Sequence, residues 1–177
     1  MGTGKSTVAD ELKRRNDSIV ISSDVVRKKL LGIPEKERRR EDYARGIYSP
    51  EVTRRIYAKM NEMAIELLLH NKNVLLDACF PKKIYRLAAR RVARKSGAVF
   101  HCIQFKCLEE VLKKRLDKRY TEGSSISDGR WEILHEQKMD FEDVDELSPE
   151  ELITVDCSKS VNEIISDIER KLKMDYW

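Results

Sequence analysis

Glycine and proline are scarce in this chain, at seven and four of 177 residues. So few turn formers argue against a loop-rich or all-β design, which needs them at close intervals. Long apolar runs are lacking as well. None approaches the roughly 20 residues of a membrane span, and no signal peptide is recognisable, so no membrane partner is expected. Cysteine is limited to Cys79, Cys102, Cys107 and Cys157, with no C-x-x-C pair and no metal-ligand spacing. Three of them fall in or beside apolar segments that read as buried strands, where a free thiol behaves as a small hydrophobe. Reduced core thiols in a cytoplasmic protein are the expectation. A strong excess of one charge is also missing, because 35 basic side chains face 31 acidic ones for a net +4. The basic residues gather locally at 36–40, 82–95 and 113–119. Such patches suit an anionic substrate or a nucleic-acid end, and they equally suit solvated helix faces. What is present is 41% hydrophobic and 37% charged residues, a globular composition. One domain over 1–177 is expected, since no linker, repeat or low-complexity segment interrupts it.

Short apolar runs alternate with longer amphipathic segments, the pattern of a parallel sheet covered by helices. Val8, Ala9 and Leu12 recur at helical spacing from Lys5 to about Arg15, and Ser18–Ser22 reads as a strand. A short helix through Val26 and Leu30 follows, then a polar stretch broken by Gly32, Pro34 and Gly46. Pro50 opens a long helix striped with Ile56, Met60, Met63, Ala64 and Leu67. Val74-Leu75-Leu76 is a buried strand ending on Asp77, and a basic helix over about 82–96 stops at Gly97. Val99–Phe105 and Leu152–Asp156 read as strands, and 108–120, 131–141 and 161–174 as helices.

Gly2-Thr3-Gly4-Lys5-Ser6-Thr7 matches the second half of G-x-x-x-x-G-K-[ST], the phosphate-binding P-loop. Its glycines let backbone N–H groups curl around phosphate oxygens at a helix N-terminus. Lys5 then neutralises the β- and γ-phosphates of ATP, while the Ser6 hydroxyl ligates Mg2+. The first glycine of the pattern would stand five positions before Gly4, ahead of Met1, together with the strand that feeds such a loop. The chain is therefore expected to be N-terminally truncated, with its first strand missing. The alternative is a real start at Met1, with a remodelled sheet or a strand lent by another chain.

Downstream, Asp24 and Arg27 share one face of a helix start at the carboxyl end of a strand, where open α/β sheets bind ligands. A carboxylate there takes a proton from an attacking hydroxyl, and an arginine holds an anionic group. The plainer alternative is that Ser23 or Asp24 caps the helix. Asp77 ends a buried apolar strand, where an unpaired carboxylate is costly, and so fits a magnesium-side carboxylate; the plainer alternative is a cap for the helix after Pro81. Arg115 and Arg119 share a helix face before the Gly123–Gly129 loop. A lid at about 108–130 carrying them onto the transferring phosphate competes with a solvated basic face. Tyr48 and Ser49 suit the lining of an acceptor site, though Tyr43, Tyr48 and Tyr57 also suit packing with a polar tip.

Taken together these residues resemble the P-loop kinase-like ATPases that include polynucleotide 5′-kinases. The segments Ile21–Lys28, Gly46–Glu51 and Leu76–Phe80 look like signatures of the ATP-binding half of bifunctional aminoglycoside phosphotransferase/ATP-binding proteins. The resemblance implies a three-layer α/β P-loop NTPase fold with a mostly parallel sheet. It implies Asp24 as general base, Arg27 as acceptor clamp, Ser6 and Asp77 on the metal, and Arg115 and Arg119 as lid arginines. The activity implied is transfer of the ATP γ-phosphate to a hydroxyl of a small molecule or nucleic-acid end, beside a fused or separate phosphotransferase-like domain. An ATP-binding regulatory module and an inactive truncated remnant are the competing readings.

Overall fold

The computed structural model describes residues 2–34, 37, 44–122 and 131–174. In chain order the elements are α1 (Lys5–Asn16), β1 (Ile19–Ser22), α2 (Ser23–Leu30), a single 3-10 turn (Gly46–Tyr48), α3 (Pro50–Leu69), β2 (Val74–Asp77), α4 (Lys83–Lys95), β3 (Cys102–Lys106), α5 (Glu109–Glu122), α6 (Trp131–Asp140), β4 (Leu152–Asp156) and α7 (Val161–Met174). The basic residues at 36 and 38–40, Tyr43 and the 123–130 loop lie outside the described residues, as does the side chain of Arg119.

Helices cover the strands on two sides, and the strands supply both cores. On one side Val8 and Leu12 of α1 pack with Ile164, Ile165 and Ile168 of α7, against Ile153 and Val155 of β4. Leu75, Ile103 and Phe105 join that cluster from β2 and β3. On the other side Ile56, Tyr57, Met60 and Ala64 of α3 pack against Ile21 and Val26, with Val74, Leu76 and Tyr85 at the edge. Leu75 therefore faces one core while Val74 and Leu76 face the other. That explains why β2 is apolar at successive positions: a parallel strand covered on both faces has no wet side. Each fully buried Ile or Met here contributes roughly 1.5–3 kcal/mol of hydrophobic stabilisation.

The strands are parallel but form two pairs. β1 pairs with β2 from Ile19↔Val74 to Ser22↔Asp77. β3 pairs with β4 from Cys102↔Leu152 to Lys106↔Asp156. Among the described residues the strands form two separate sheets, since no strand pairs with the second edge of β2 or of β3. Apolar packing of α1 joins the halves, since its cluster takes side chains from β2, β3 and β4.

Two sequence expectations need correction. The third strand begins at Cys102, not Val99, because pairing starts where Leu152 of β4 first supplies a partner; Val99 is exposed. Cys107 and Cys157 are not free thiols. They follow the paired residues Lys106 and Asp156 on adjacent strands, which sets their Cα atoms 5.3 Å apart, and they form a disulfide. Cys79 and Cys102 are free, and burial pushes the Cys102 thiol up to about 11.

Local rules hold elsewhere. Gly97 ends α4 at φ 68, and Ala98 N–H donates to the Ala93 carbonyl at 2.9 Å, the Gly-terminated helix stop. Ser49 Oγ accepts from Val52 N–H to cap α3 just before Pro50. The basic stretch 82–95 is largely paired with the acidic connector 142–151. Lys83 meets Asp145, Arg86 meets Glu146, and Arg90 and Arg94 share Glu151. Neither an anion site nor a bare solvated face describes these residues; they fasten α4 to the segment that leads into β4.

Candidate functional site

The loop before α1 turns through left-handed backbone at Gly2 (φ 70) and at Gly4 (φ 86). Only glycine adopts this conformation without a steric cost. Gly4 occupies the cap position of α1, with no side-chain capping bond, and its carbonyl accepts from Val8 N–H at 3.0 Å. The helix N-terminus is therefore aimed into the space in front of the loop, as an anion site requires. Thr3 Oγ1 is buried there without a hydrogen-bond partner. An orphaned buried hydroxyl beside a helix N-terminus fits a phosphate oxygen, so the loop suits the phosphates of a nucleotide.

Ser6, on the first turn of α1, donates its hydroxyl to Asp77 Oδ2 at 2.7 Å. The pairing register explains how residues 71 positions apart meet. Asp77 closes β2 opposite Ser22, which closes β1, so both strand ends reach the loop together. A hydroxyl and a carboxylate in contact are an oxygen donor pair suited to Mg2+. Among the described residues no cluster of three or more His, Cys, Asp or Glu is arranged for a metal. Such a Mg2+ would complete its shell with phosphate oxygens and water, as this ion usually does.

Ser22 takes the cap position of α2, with no side-chain capping bond from it, so neither Ser23 nor Asp24 is the cap residue. Asp24 lies in the first turn of α2 and faces a cleft of about 1450 Å3. The same cleft is lined by residues 2–7, Arg27, Tyr48 and Asp77. The expected phosphate-loop, acceptor and metal residues therefore converge on one space. Lys5 is among them.

Arg27 is 6% exposed. Its Nη1 donates to the Ile47 carbonyl at 2.7 Å, and its guanidinium carbon lies 4.7 Å from the centre of the Tyr48 ring. Its Nε is buried without a partner. The Gly46–Tyr48 turn thus supplies one carbonyl and one ring to hold this arginine, with a donor left over. A buried guanidinium with an unused N–H favours an anionic ligand.

Part of the cleft lining is aromatic. Tyr57 stacks on Tyr85 with centroids 4.1 Å apart and tilts against Phe80 at 5.0 Å. Tyr57 is buried, which pushes its phenol above the ordinary range and keeps it neutral. Its hydroxyl accepts from Phe80 N–H at 2.9 Å. Phe80 sits at φ 47, a conformation a bulky residue rarely takes. It is fixed from both ends, because Arg86 Nη1 donates to its carbonyl at 3.0 Å. Arg86 in turn pairs with Glu146 and donates to the Asp143 carbonyl. Sequence reasoning did not find Arg86 or Glu146 in this role. Sixty positions separate them, and no local pattern marks such a pair.

Arg115 of α5 reaches the phosphate loop. A methyl group built on Gly4 would lie 3.8 Å from Arg115 Nη1, and Arg115 Nη2 donates to the Cys157 carbonyl at 2.7 Å. Arg119 is on the same helix, but the position of its side chain is outside the described residues.

A family model described as an AAA domain (AAA_33) matches residues 1–144. No curated protein matches the chain. Among solved structures, a gluconokinase from Sinorhizobium meliloti 1021 superposes with a TM-score of 0.69 at 20% identity, over 98% of this chain and 87% of that one. A sugar kinase from Janibacter sp. HTCC2649 gives 0.69 at 18% identity, covering 97% and 89%. The APS kinase of Mycobacterium tuberculosis, solved with AMPPNP and APS, gives 0.66 at 20% identity, covering 97% and 92%. At such identities the likeness establishes the fold, that of P-loop kinases.

Proposed function

The chain belongs to the AAA domain family, and on that premise we propose that it is an ATP-dependent kinase acting on a hydroxyl of a small anionic acceptor. The observation that carries this reading is the shared cleft. Asp24 and the buried Arg27 face the same space as the phosphate loop and the Ser6–Asp77 pair. A module that only binds or hydrolyses ATP has no need of a second polar wall there.

In this reading residues 2–7 bind the phosphates through backbone N–H groups and Lys5, and Ser6 with Asp77 holds Mg2+. Bound MgATP supplies the γ-phosphoryl group. Asp24 accepts the proton of the acceptor hydroxyl, and Arg27 orients the acceptor through its unused N–H, steadied by Tyr48. Arg115 places positive charge beside the loop, where negative charge develops on the phosphoryl oxygens. The likenesses to kinases of a sugar acid and of a nucleotide support an acceptor carrying a carboxylate, sulfate or phosphate. A finer placement, beside the ATP-binding half of aminoglycoside phosphotransferase fusions, belongs to the same proposal. It rests on the segments Ile21–Lys28, Gly46–Glu51 and Leu76–Phe80.

The test is ATP turnover with a panel of hydroxylated acceptors: sugar acids, sugar phosphates, nucleosides, aminoglycosides, and RNA and DNA 5′-OH ends. Stimulation by an anionic small molecule, with phosphorylated product detected by mass, supports the proposal. Turnover that no acceptor alters leaves an ATPase module and overturns it.

A further inference from the structure

Arg115 joins three parts of the molecule that the sequence keeps far apart. Its guanidinium lies beside Gly4 in the phosphate loop and donates to the carbonyl of Cys157. Cys157 is bonded to Cys107, fifty positions away in sequence. Cys107 stands two residues before α5, the helix that carries Arg115, and packs against Leu112 and Leu134 of the small cluster between α5 and α6. The disulfide therefore fixes both the carbonyl that Arg115 binds and the root of the helix it grows from. Cys157 is fully buried, whereas Cys107 is half-buried and lines the cleft. A thiol reagent entering the cleft meets Cys107 first.

Resting on the kinase reading, we propose that the Cys107–Cys157 pair is a reversible positioning device for Arg115: bonded, it holds the guanidinium at the phosphate loop, and reduced, it releases the root of α5. In the closing direction a cysteine thiolate attacks a small-molecule disulfide and expels one thiol. The second cysteine thiolate then attacks the mixed disulfide and expels the other. The two cysteines lose two electrons and two protons, and the oxidant becomes two thiols. A dithiol reverses both steps, attacking at Cys107 Sγ and releasing the Cys157 thiolate. The two cysteines are positioning residues; neither need touch the reacting atoms.

The experiment compares the full chain oxidised with glutathione disulfide and reduced with dithiothreitol. Thiols are counted by alkylation after unfolding. Two reactive thiols are expected in the oxidised chain and four in the reduced one. Amide exchange over 109–115 is expected to quicken on reduction, while exchange in β1 and β2 stays unchanged. With an acceptor from the panel above, reduction is expected to lower kcat by on the order of ten- to a hundredfold, with little change in the ATP KM. Cys107→Ser should behave like the reduced chain in both redox states, and Arg115→Ala should lose the redox dependence of kcat. Four thiols in the oxidised chain, or equal amide exchange in the two states, overturns the proposal. So does equal kcat in the two states. If no acceptor is phosphorylated, the kinase reading fails, while thiol count and exchange still decide whether the pair holds α5. Because reduced wild type carries the main comparison, a misfolded Cys107→Ser would not remove the test.

Discussion

Ser6 Oγ and Asp77 Oδ2 are 2.7 Å apart, joining the first turn of α1 to the last residue of β2. If this pair holds the metal of a bound nucleotide, its two members have different consequences from Lys5. Lys5→Ala is expected to weaken ATP at least tenfold with or without Mg2+, because it removes a cation from the phosphates themselves. Asp77→Asn is expected to keep metal-free ATP binding and to lose most of the increment that Mg2+ adds. Titration calorimetry with ATP, in the presence of Mg2+ or a chelator, separates the two patterns. The same loss of metal-free binding in both variants would exclude the metal-side role of Asp77.

Asp24 and Arg27 share a helix face and, in the proposed reading, act on the same acceptor in different ways. Asp24→Asn is expected to leave ATP binding near normal and to lower transfer by about 10²–10⁴-fold, the usual contribution of a general base. Arg27→Lys keeps the charge but loses the planar stack on Tyr48 and the fork geometry. Its expected signature is a raised acceptor KM with the ATP KM unchanged. Steady-state kinetics with each substrate varied in turn reads both outcomes. Equal damage to ATP binding in the Asp24→Asn variant would remove Asp24 from the acceptor side.

Gly4 combines a left-handed backbone with an arginine next to its missing side chain. Gly4→Ala adds a methyl at ordinary contact distance from Arg115, so crowding is a minor effect. The backbone is the larger one, since an L-residue in this conformation costs roughly 1–2 kcal/mol. The loop is expected to relax away from its anion-binding shape, weakening ATP by on the order of tenfold, with the unfolding midpoint lowered only slightly. Nucleotide titration alongside thermal melting checks that split.

Much of this arrangement is legible in the chain because it is local. Glycine placement sets the loop, the helical stripes set α1 and α3, and an apolar run closing on Asp77 sets β2 and its carboxylate. What escapes sequence reading depends on pairings between distant segments. Cys107 meets Cys157 only because β3 and β4 align with Lys106 opposite Asp156. Composition said reduced thiols because it carries no register. The Val99–Phe105 expectation began three residues early for the same reason at smaller scale: hydrophobicity extended ahead of the first available partner.

The buried Arg86–Glu146 pair gives the clearest stability prediction. Both side chains are nearly inaccessible, at 1% and 4% exposure, and Arg86 also holds the carbonyls of Phe80 and Asp143. Burial opposes the charge on Glu146, but hydrogen bonds and attraction from Arg86 outweigh it and hold the carboxyl below its ordinary value. A carboxyl depressed on folding stabilises the native state fully above its unfolded value, here about 4.5, and loses that contribution as pH falls through the lower folded value. At Glu151 burial again opposes the charge, but hydrogen bonds accepted from the Ser148 N–H and Arg90 outweigh it, so this carboxyl acts in the same direction. Stability is therefore expected to fall below about pH 4.5, with the 142–151 connector detaching from α4. Glu146→Ala leaves Arg86 buried and unpaired, at an expected cost of about 3–5 kcal/mol at neutral pH. Urea unfolding at pH 7 and pH 4 measures both effects. In the variant the midpoint should already be low at pH 7 and should fall less on acidification than in the wild type. Because Arg86 also fixes Phe80, the same substitution should loosen the aromatic wall of the cleft and raise the acceptor KM. An unfolding curve whose acid dependence matches the wild type would show that this pair does not govern the transition.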